Sequence, residues 1–173
     1  MLYGTKTRLR LLEAADLKTV AKWRNKPEVA ARFFSCWPIA ISEQGRWYER
    51  YVTNARERMF IIETLEGKEV GTIALCNINL HHQAAEVGRV MLADEQDRVK
   101  GYMADALVTL MEFAFREANL NRLYVETFED NEEALALYRK CGFTQEGLHR
   151  QAIWKGGRFR NVAVLSILRE EVV

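Results

Sequence analysis

The 173-residue sequence predicts a single α+β domain, a mixed α/β sheet of about seven strands with helices packed on it. Three observations carry that expectation. Short runs rich in apolar and β-branched residues recur along the whole chain at strand length. One longer stretch, Ala104 to Ala118, repeats its apolar residues at i, i+3, i+4 and i+7, the period of an amphipathic helix. Only turn signals separate the runs, with two prolines in all and no proline-rich linker, so the domain is expected to span residues 1–173.

The elements follow in order. Thr7 to Leu12 alternates as a strand. Asp16 is placed to cap a helix that carries Val20 and Trp23. An irregular stretch rich in aromatics and arginines then leads to a helix from Ser42 or Glu43 to Tyr51. MFIIET and EVGTIAL, 59–64 and 69–75, flank a turn at Glu66–Gly67–Lys68 and read as a hairpin. The next strand, Glu86 to Leu92, opens onto the polar loop 93–102, and the amphipathic helix follows. Leu123 to Phe128 is a strand with Tyr124, Glu126 and Phe128 on one face. Asn131 is placed to cap a helix whose first turn, Glu132–Glu133, suits the positive end of the helix dipole. That helix ends at Gly142. AIW and VAVLSIL, joined across Lys155–Gly156–Gly157–Arg158, close the chain as a hairpin.

Composition narrows the function. The chain is 49% apolar and 28% charged, which excludes disorder. At this length roughly 70% of the unfolded surface is buried, so neither disulfides nor a metal is needed for folding. Three cysteines without CxxC spacing fit a reducing compartment. The opening lacks a signal peptide's apolar centre, and no run nears the ~18 apolar residues of a membrane span. A cytoplasmic protein is expected, with no membrane partner. Residues 1–60 hold twelve Lys and Arg against six Asp and Glu, and the remainder thirteen against eighteen. That division is too diffuse for a nucleic-acid binder. No GxGxxG follows a strand, and there is no GxxxxGK[ST], HExxH or GxSxG, so dinucleotide, P-loop, zinc-hydrolase and elbow-serine chemistry lack support. His81–His82 read as a solvated loop, so no metal site is expected. Cys141 reads as a small buried side chain.

The remaining signal is the unit EVGRVML–ADEQDRVKGY–MADALVTLMEF. A strand running through a glycine loop straight into a helix leaves backbone N–H groups unpaired at the positive helix end, a site for a pyrophosphate. Arg98 and Lys100 add charge beside Gly101. With YVET, Asn131 and LYRKCGF downstream, the succession resembles the GNAT superfamily of acetyl-CoA-dependent N-acetyltransferases. The family's Q/R-x-x-G-x-G/A pattern falls on Arg98, Gly101 and Met103. Its N…A…LY…GF signature falls on Asn131, Ala134, Leu137–Tyr138 and Gly142–Phe143. RLRLLEAADL, WRNKPEV and the closing EGLHRQAIWKGGRFRNVAVLSIL resemble the branch of ribosomal-protein N-terminal, diamine and amino-sugar acetyltransferases.

The resemblance implies a mostly antiparallel GNAT-like sheet and acetyl-CoA as the acyl donor. The pyrophosphate would rest on amides of Arg98, Val99, Lys100, Gly101, Tyr102, Met103 and Ala104. The pantetheine arm would lie along Val90, Met91 and Leu92, where two strands diverge, with Asn131 nearby. Met103, where the family has a small residue, is expected to turn away from the loop. Amide formation needs a base to deprotonate the acceptor ammonium and an acid for the departing thiolate. Tyr138 matches the family's tyrosine acid, Glu126 a glutamate base of some N-terminal acetyltransferases, and Glu86 is a second base candidate.

The acceptor is expected to be a small-molecule primary amine. Residues 32–60 carry five arginines against three glutamates, which favours a nucleotide-linked amino sugar over a polyamine. A protein N-terminus or a polyamine is the alternative. A catalytically silent acyl-CoA-binding module is the reading from another class, and the protein is expected to be a monomer or homodimer.

Overall fold

The computed structural model describes residues 1–172. One eight-stranded sheet forms in the order β1-β2-β3-β4-β5-β6-β8-β7. Its strands are β1 (Leu2–Tyr3), β2 (Thr7–Leu11), β3 (Arg58–Thr64), β4 (Glu69–Asn79), β5 (Ala84–Leu92), β6 (Arg122–Phe128), β7 (Thr144–Lys155) and β8 (Arg158–Leu168). The helices are α1 (Leu17–Arg24), α2 (Pro27–Ala30), α3 (Ile41–Tyr51), α4 (Tyr102–Arg116) and α5 (Glu132–Lys140). Every pairing is antiparallel except β5–β6, which α4 joins as a crossover. None of these helices is long and apolar enough to cross a membrane.

The central strands are covered on both faces, and their alternation sorts side chains between two cores. From β3, Phe60 and Ile62 join Leu107, Leu110 and Met111 of α4 in the larger core. Met59 and Ile61 point the other way, onto Val20, Trp23 and Tyr51 of α1 and α3. A strand buried on both sides reads as a continuous apolar run, as MFII does.

The structure differs from the expectation at both ends and at one cap. The eighth strand is β1, a two-residue edge piece too short to leave a pattern. β7 begins at Thr144, well before Ala152, and nearly all of it is exposed. An edge strand with no buried face shows no apolar alternation, so its first half is silent in the sequence. Asp16 does not cap α1 with its side chain. Its carboxylate is taken by Arg10, at 2.7 and 2.8 Å, and by the Glu13 amide at 2.8 Å. Arg10 also reaches Glu63 and Glu69, each at 2.6 Å, tying the start of the chain to the β3–β4 hairpin.

Asp105, in the first turn of α4, makes a second tie. It accepts from the amides of Thr5, Lys6 and Thr7 at 2.9–3.0 Å and from both threonine hydroxyls at 2.6 and 2.7 Å. The segment entering β2 is thereby clasped to the helix that follows the glycine loop.

Candidate active site

The site begins with a flaw in the sheet. β5 pairs with β6 only at Ala84–Glu86 against Arg122–Tyr124, and the strands part beyond that. On the other side, Ile73 of β4 faces two residues of β5, Arg89 and Val90. Such a bulge bends the strand and sharpens its twist. Arg89 takes a left-handed φ of 54°, and its carbonyl accepts from the Thr72 hydroxyl at 2.6 Å. The divergence opens a cleft of about 920 Å³ between β5, β6, α5 and the segment after α1.

The glycine loop forms one end. A short 3-10 turn, Glu95–Lys100, ends at Gly101, whose φ of 78° is left-handed and favours glycine. Among the described residues, the amides of Gly101, Tyr102, Met103 and Ala104 have no acceptor, and Asp105 is the first to bond back, to the Gly101 carbonyl at 3.1 Å. These amides and the helix dipole make an anion cradle. The charged side chains contribute less than expected. Lys100 pairs with fully buried Asp97 at 3.1 Å, as Lys68 does at 2.9 Å. Arg98 is shared between Glu95 and Glu133. Of the expected donor-binding set, all but Lys100 and Tyr102 line the cleft. Met103 lines it too while packing into the larger core, 8% exposed.

Asn131 caps α5 as expected, its Oδ1 accepting from the Ala134 amide at 3.3 Å while its Nδ2 reaches Thr127 Oγ1 at 3.3 Å. The far end of α5 is fixed as firmly. Gly142 (φ 94°) lets the Phe143 amide bond the Tyr138 carbonyl at 3.0 Å and the Gly142 amide bond the Arg139 carbonyl at 3.1 Å. That is the Schellman pattern, with its usual apolar contact supplied by the Tyr138 and Phe143 rings, centroids 5.7 Å apart. LYRKCGF therefore places Tyr138 through a helix terminus. Its ring is buried at 4% exposure, and its hydroxyl has no hydrogen-bond partner among the described residues.

The structure brings Tyr138, Glu86 and Glu126 into this one cleft. Burial pushes the Glu86 carboxyl above its ordinary range, against a 2.7 Å hydrogen bond from Asn77 Nδ2, and the charges of Glu126 and Glu57 push it further. Burial first, then the charge of Glu86, raises the Tyr138 hydroxyl. A half-buried carboxyl with a raised pKa and a phenol that keeps its proton are groups that can serve as a base and an acid. Burial pushes the Cys76 thiol up to about 12 and raises Cys141 as well, so neither is a ready thiolate nucleophile.

Several lining residues carried no sequence signal. Glu57, 8% exposed, accepts from Arg89 Nε at 3.0 Å, and Asn77 with its left-handed φ holds Glu86. Only the fold gathers them. Of the five arginines at 32–58, Arg32 and Arg56 line the cleft while Arg46, Arg50 and Arg58 do not. The segment credited with choosing the acceptor is thus split between cleft and surface. Lys155 of β7 donates to the carbonyls of Ala30 and Ser35, at 3.0 and 2.5 Å, and holds the segment after α2 against the last hairpin.

Comparison with known proteins identifies the domain. The model of the acetyltransferase (GNAT) domain matches residues 6–144. The spermidine N(1)-acetyltransferase of Escherichia coli K12 is 30% identical over 164 residues, covering 95% of this chain and 87% of its own. A putative ribosomal N-acetyltransferase of Bacillus subtilis, YdaF, is 30% identical over 61% of this chain and 57% of its own. The crystal structure of the Vibrio cholerae spermidine N-acetyltransferase in complex with CoA and spermine superposes with a TM-score of 0.89 at 25% identity, covering 96% of this chain and 98% of that one.

Proposed function

This chain belongs to the GNAT family of acetyltransferases, and from that premise we propose that its β5–β6 cleft passes the acetyl group of acetyl-CoA to a small primary amine held by Glu86 and Glu126. In this reading the donor's pyrophosphate rests on the amides of Gly101 to Ala104, supported by their lack of acceptors. Its pantetheine arm follows the unpaired edge of β5 from Val90 to Leu92, beside Asn131. Arg98 and Val99 flank the loop, while Lys100 and Tyr102 shape it from outside, Lys100 through its bond to Asp97.

The acceptor enters as an ammonium and must lose a proton before its nitrogen attacks the thioester carbonyl. Glu86 is the favoured base, because its raised carboxyl lies nearer to neutrality than an ordinary glutamate's. Glu126 adds negative charge that holds the ammonium. When the carbon–sulfur bond breaks, the thiolate takes a proton from the Tyr138 hydroxyl.

The observation that carries the reading is the meeting, in the one place where the sheet splits, of an unpartnered Tyr138 hydroxyl and the Glu86 carboxyl. Two carboxylates, Glu86 and Glu126, fit the ammonium of the acceptor, since Glu57 is taken by Arg89, and the spermidine N-acetyltransferases among the relatives support a small amine as the acceptor. Release of free thiol from acetyl-CoA across a panel of amines tests it. Amine-dependent release is expected; release no faster than hydrolysis with every amine would reduce the chain to a silent acyl-CoA binder.

A further inference from the structure

We infer that the acceptor amine also carries an anionic group, a carboxylate or a phosphate, and that Arg24 binds it; this deepens the acetyl-transfer reading and rests on it.

The basic side chains of the cleft are otherwise accounted for. Glu133 takes Arg32 at 2.6 Å and lies 3.8 Å from Arg98. Glu57 takes Arg89 at 3.0 Å. Arg56 and Lys140 are exposed, where water solvates them. Arg24 differs from all of these. It sits half-buried in the last residue of α1, and among the described residues its guanidinium has neither a hydrogen bond nor an ion pair. Its Cζ lies 3.4 Å from the centre of the Phe33 ring.

An unpaired buried charge is costly, and this one is placed among like charges. Burial first, then the charge of Arg89, lowers the Arg24 guanidinium to about 10, which leaves it charged at neutral pH. Lys155 is near enough to feel the Arg24 charge, and its donors go to backbone carbonyls. Of the cations around Arg24, Arg89 is paired with Glu57 and Lys155 with backbone carbonyls, and no carboxylate among the described residues is paired with Arg24. The guanidinium lies over the Phe33 ring and its N–H donors have no acceptor among the described residues; a guanidinium with free donors can receive a carboxylate or phosphate two bonds at a time.

The charge belongs to the acceptor end of the cleft. Arg24 lines the same cleft as Arg89, Glu57 and Glu86, and Arg89 is paired with Glu57 at 3.0 Å. A molecule with an ammonium at Glu86 and Glu126 and an anion at Arg24 would satisfy both ends. Spermidine, with no anionic group, would satisfy one.

Matched amines test this. Lysine differs from cadaverine by a carboxylate, and glucosamine 6-phosphate differs from glucosamine by a phosphate. Titrating the CoA-bound protein with each by calorimetry needs no turnover. The anionic member of at least one pair is expected to bind roughly 10–100-fold more tightly than its partner, the range of a charge-assisted contact. Whichever pair shows the preference identifies the anion. In Arg24→Gln, checked for folding by its melting temperature, that preference should collapse toward unity. Should that variant fail to fold, Arg24→Lys, which keeps the charge and loses the planar fork, should weaken the preference. Equal affinities within both pairs, or no binding of either anionic member, overturns the inference. So does a loss of CoA affinity in Arg24→Gln with the preference intact, which would put a donor phosphate on Arg24. Failure of acetyl transfer itself is read separately, from thiol release.

Discussion

Replacing Tyr138 with phenylalanine removes one oxygen and leaves the packing in place. The ring is 4% exposed and closes the Schellman turn against Phe143, so truncation to alanine would cost about 3–5 kcal/mol of stability and confuse any kinetic result. Phenylalanine keeps that contact, and the deleted hydroxyl has no partner to strand among the described residues. The change in stability should therefore stay within about 0.5 kcal/mol, a melting shift of about 2 °C or less for a chain of this size. The chemical step should suffer much more. A positioned general acid contributes roughly 10²–10⁴-fold, equivalent to about 2.7–5.4 kcal/mol of transition-state stabilisation. Because burial and the Glu86 charge hold the phenol's proton firmly, the parent should show no loss of its acid near neutral pH. The assay is single-turnover acetyl transfer with the donor preloaded, since slow product release would hide the step in kcat. A phenylalanine variant that transfers acetyl as fast as the parent would refute the assignment and leave Tyr138 a packing residue.

Three further outcomes are expected. Gly101→Asp forces a left-handed φ on a side chain and brings a negative charge to the free amides, so CoA affinity should fall at least ten-fold by calorimetry; unchanged affinity in a folded variant would remove the cradle from the donor site. Glu86 has its carboxyl raised, so as the base it loses activity as pH falls through that raised value; the acid limb of kcat/KM should lie above the ordinary glutamate pKa of about 4.3 and disappear in Glu86→Gln along with most of the rate. Asp105→Ala should cost about 2–3 kcal/mol in urea denaturation at neutral pH, because three amides and two hydroxyls lose a charged acceptor. The Asp105 carboxyl is held below its ordinary range, so its contribution is complete above about pH 4 and is lost as pH falls through the depressed value; the gap between parent and variant should close there.

What the sequence disclosed and what it hid divide by contiguity. The run from Glu86 through the glycine loop, α4, β6 and LYRKCGF is one unbroken path. Its glycines at 101 and 142 mark backbone turns that any reader of the chain can place, so the cleft's long walls were legible. Glu126 and Tyr138 came with them. Glu57, Asn77 and Arg24 reach the same cleft from three other elements or loops, each without a motif, and only strand register and helix packing unite them with Arg89, which lies on the path itself. Charge by itself misled. Lys100 lies next to Gly101 in sequence yet spends its ammonium on Asp97, and most of the arginines between 46 and 58 face away from the cleft. Asp16 had the right position for a cap and was claimed by Arg10 instead.

Three residue pairs are all that stitch β5 to β6. The sheet is in effect two panels meeting at a short seam: one, β1 to β5, bears Arg89 and Glu86, and the other, β6 to β8, bears Glu126 and supports the helix of Tyr138. A donor lying along the open edge of β5 and an acceptor spanning the gap would both brace the panels against each other. Whichever molecule arrived first would stiffen the seam for the second, which would then lose less conformational freedom on binding. Synergy between the two substrates would then come from the missing rungs of the ladder, without any contact passing between the molecules.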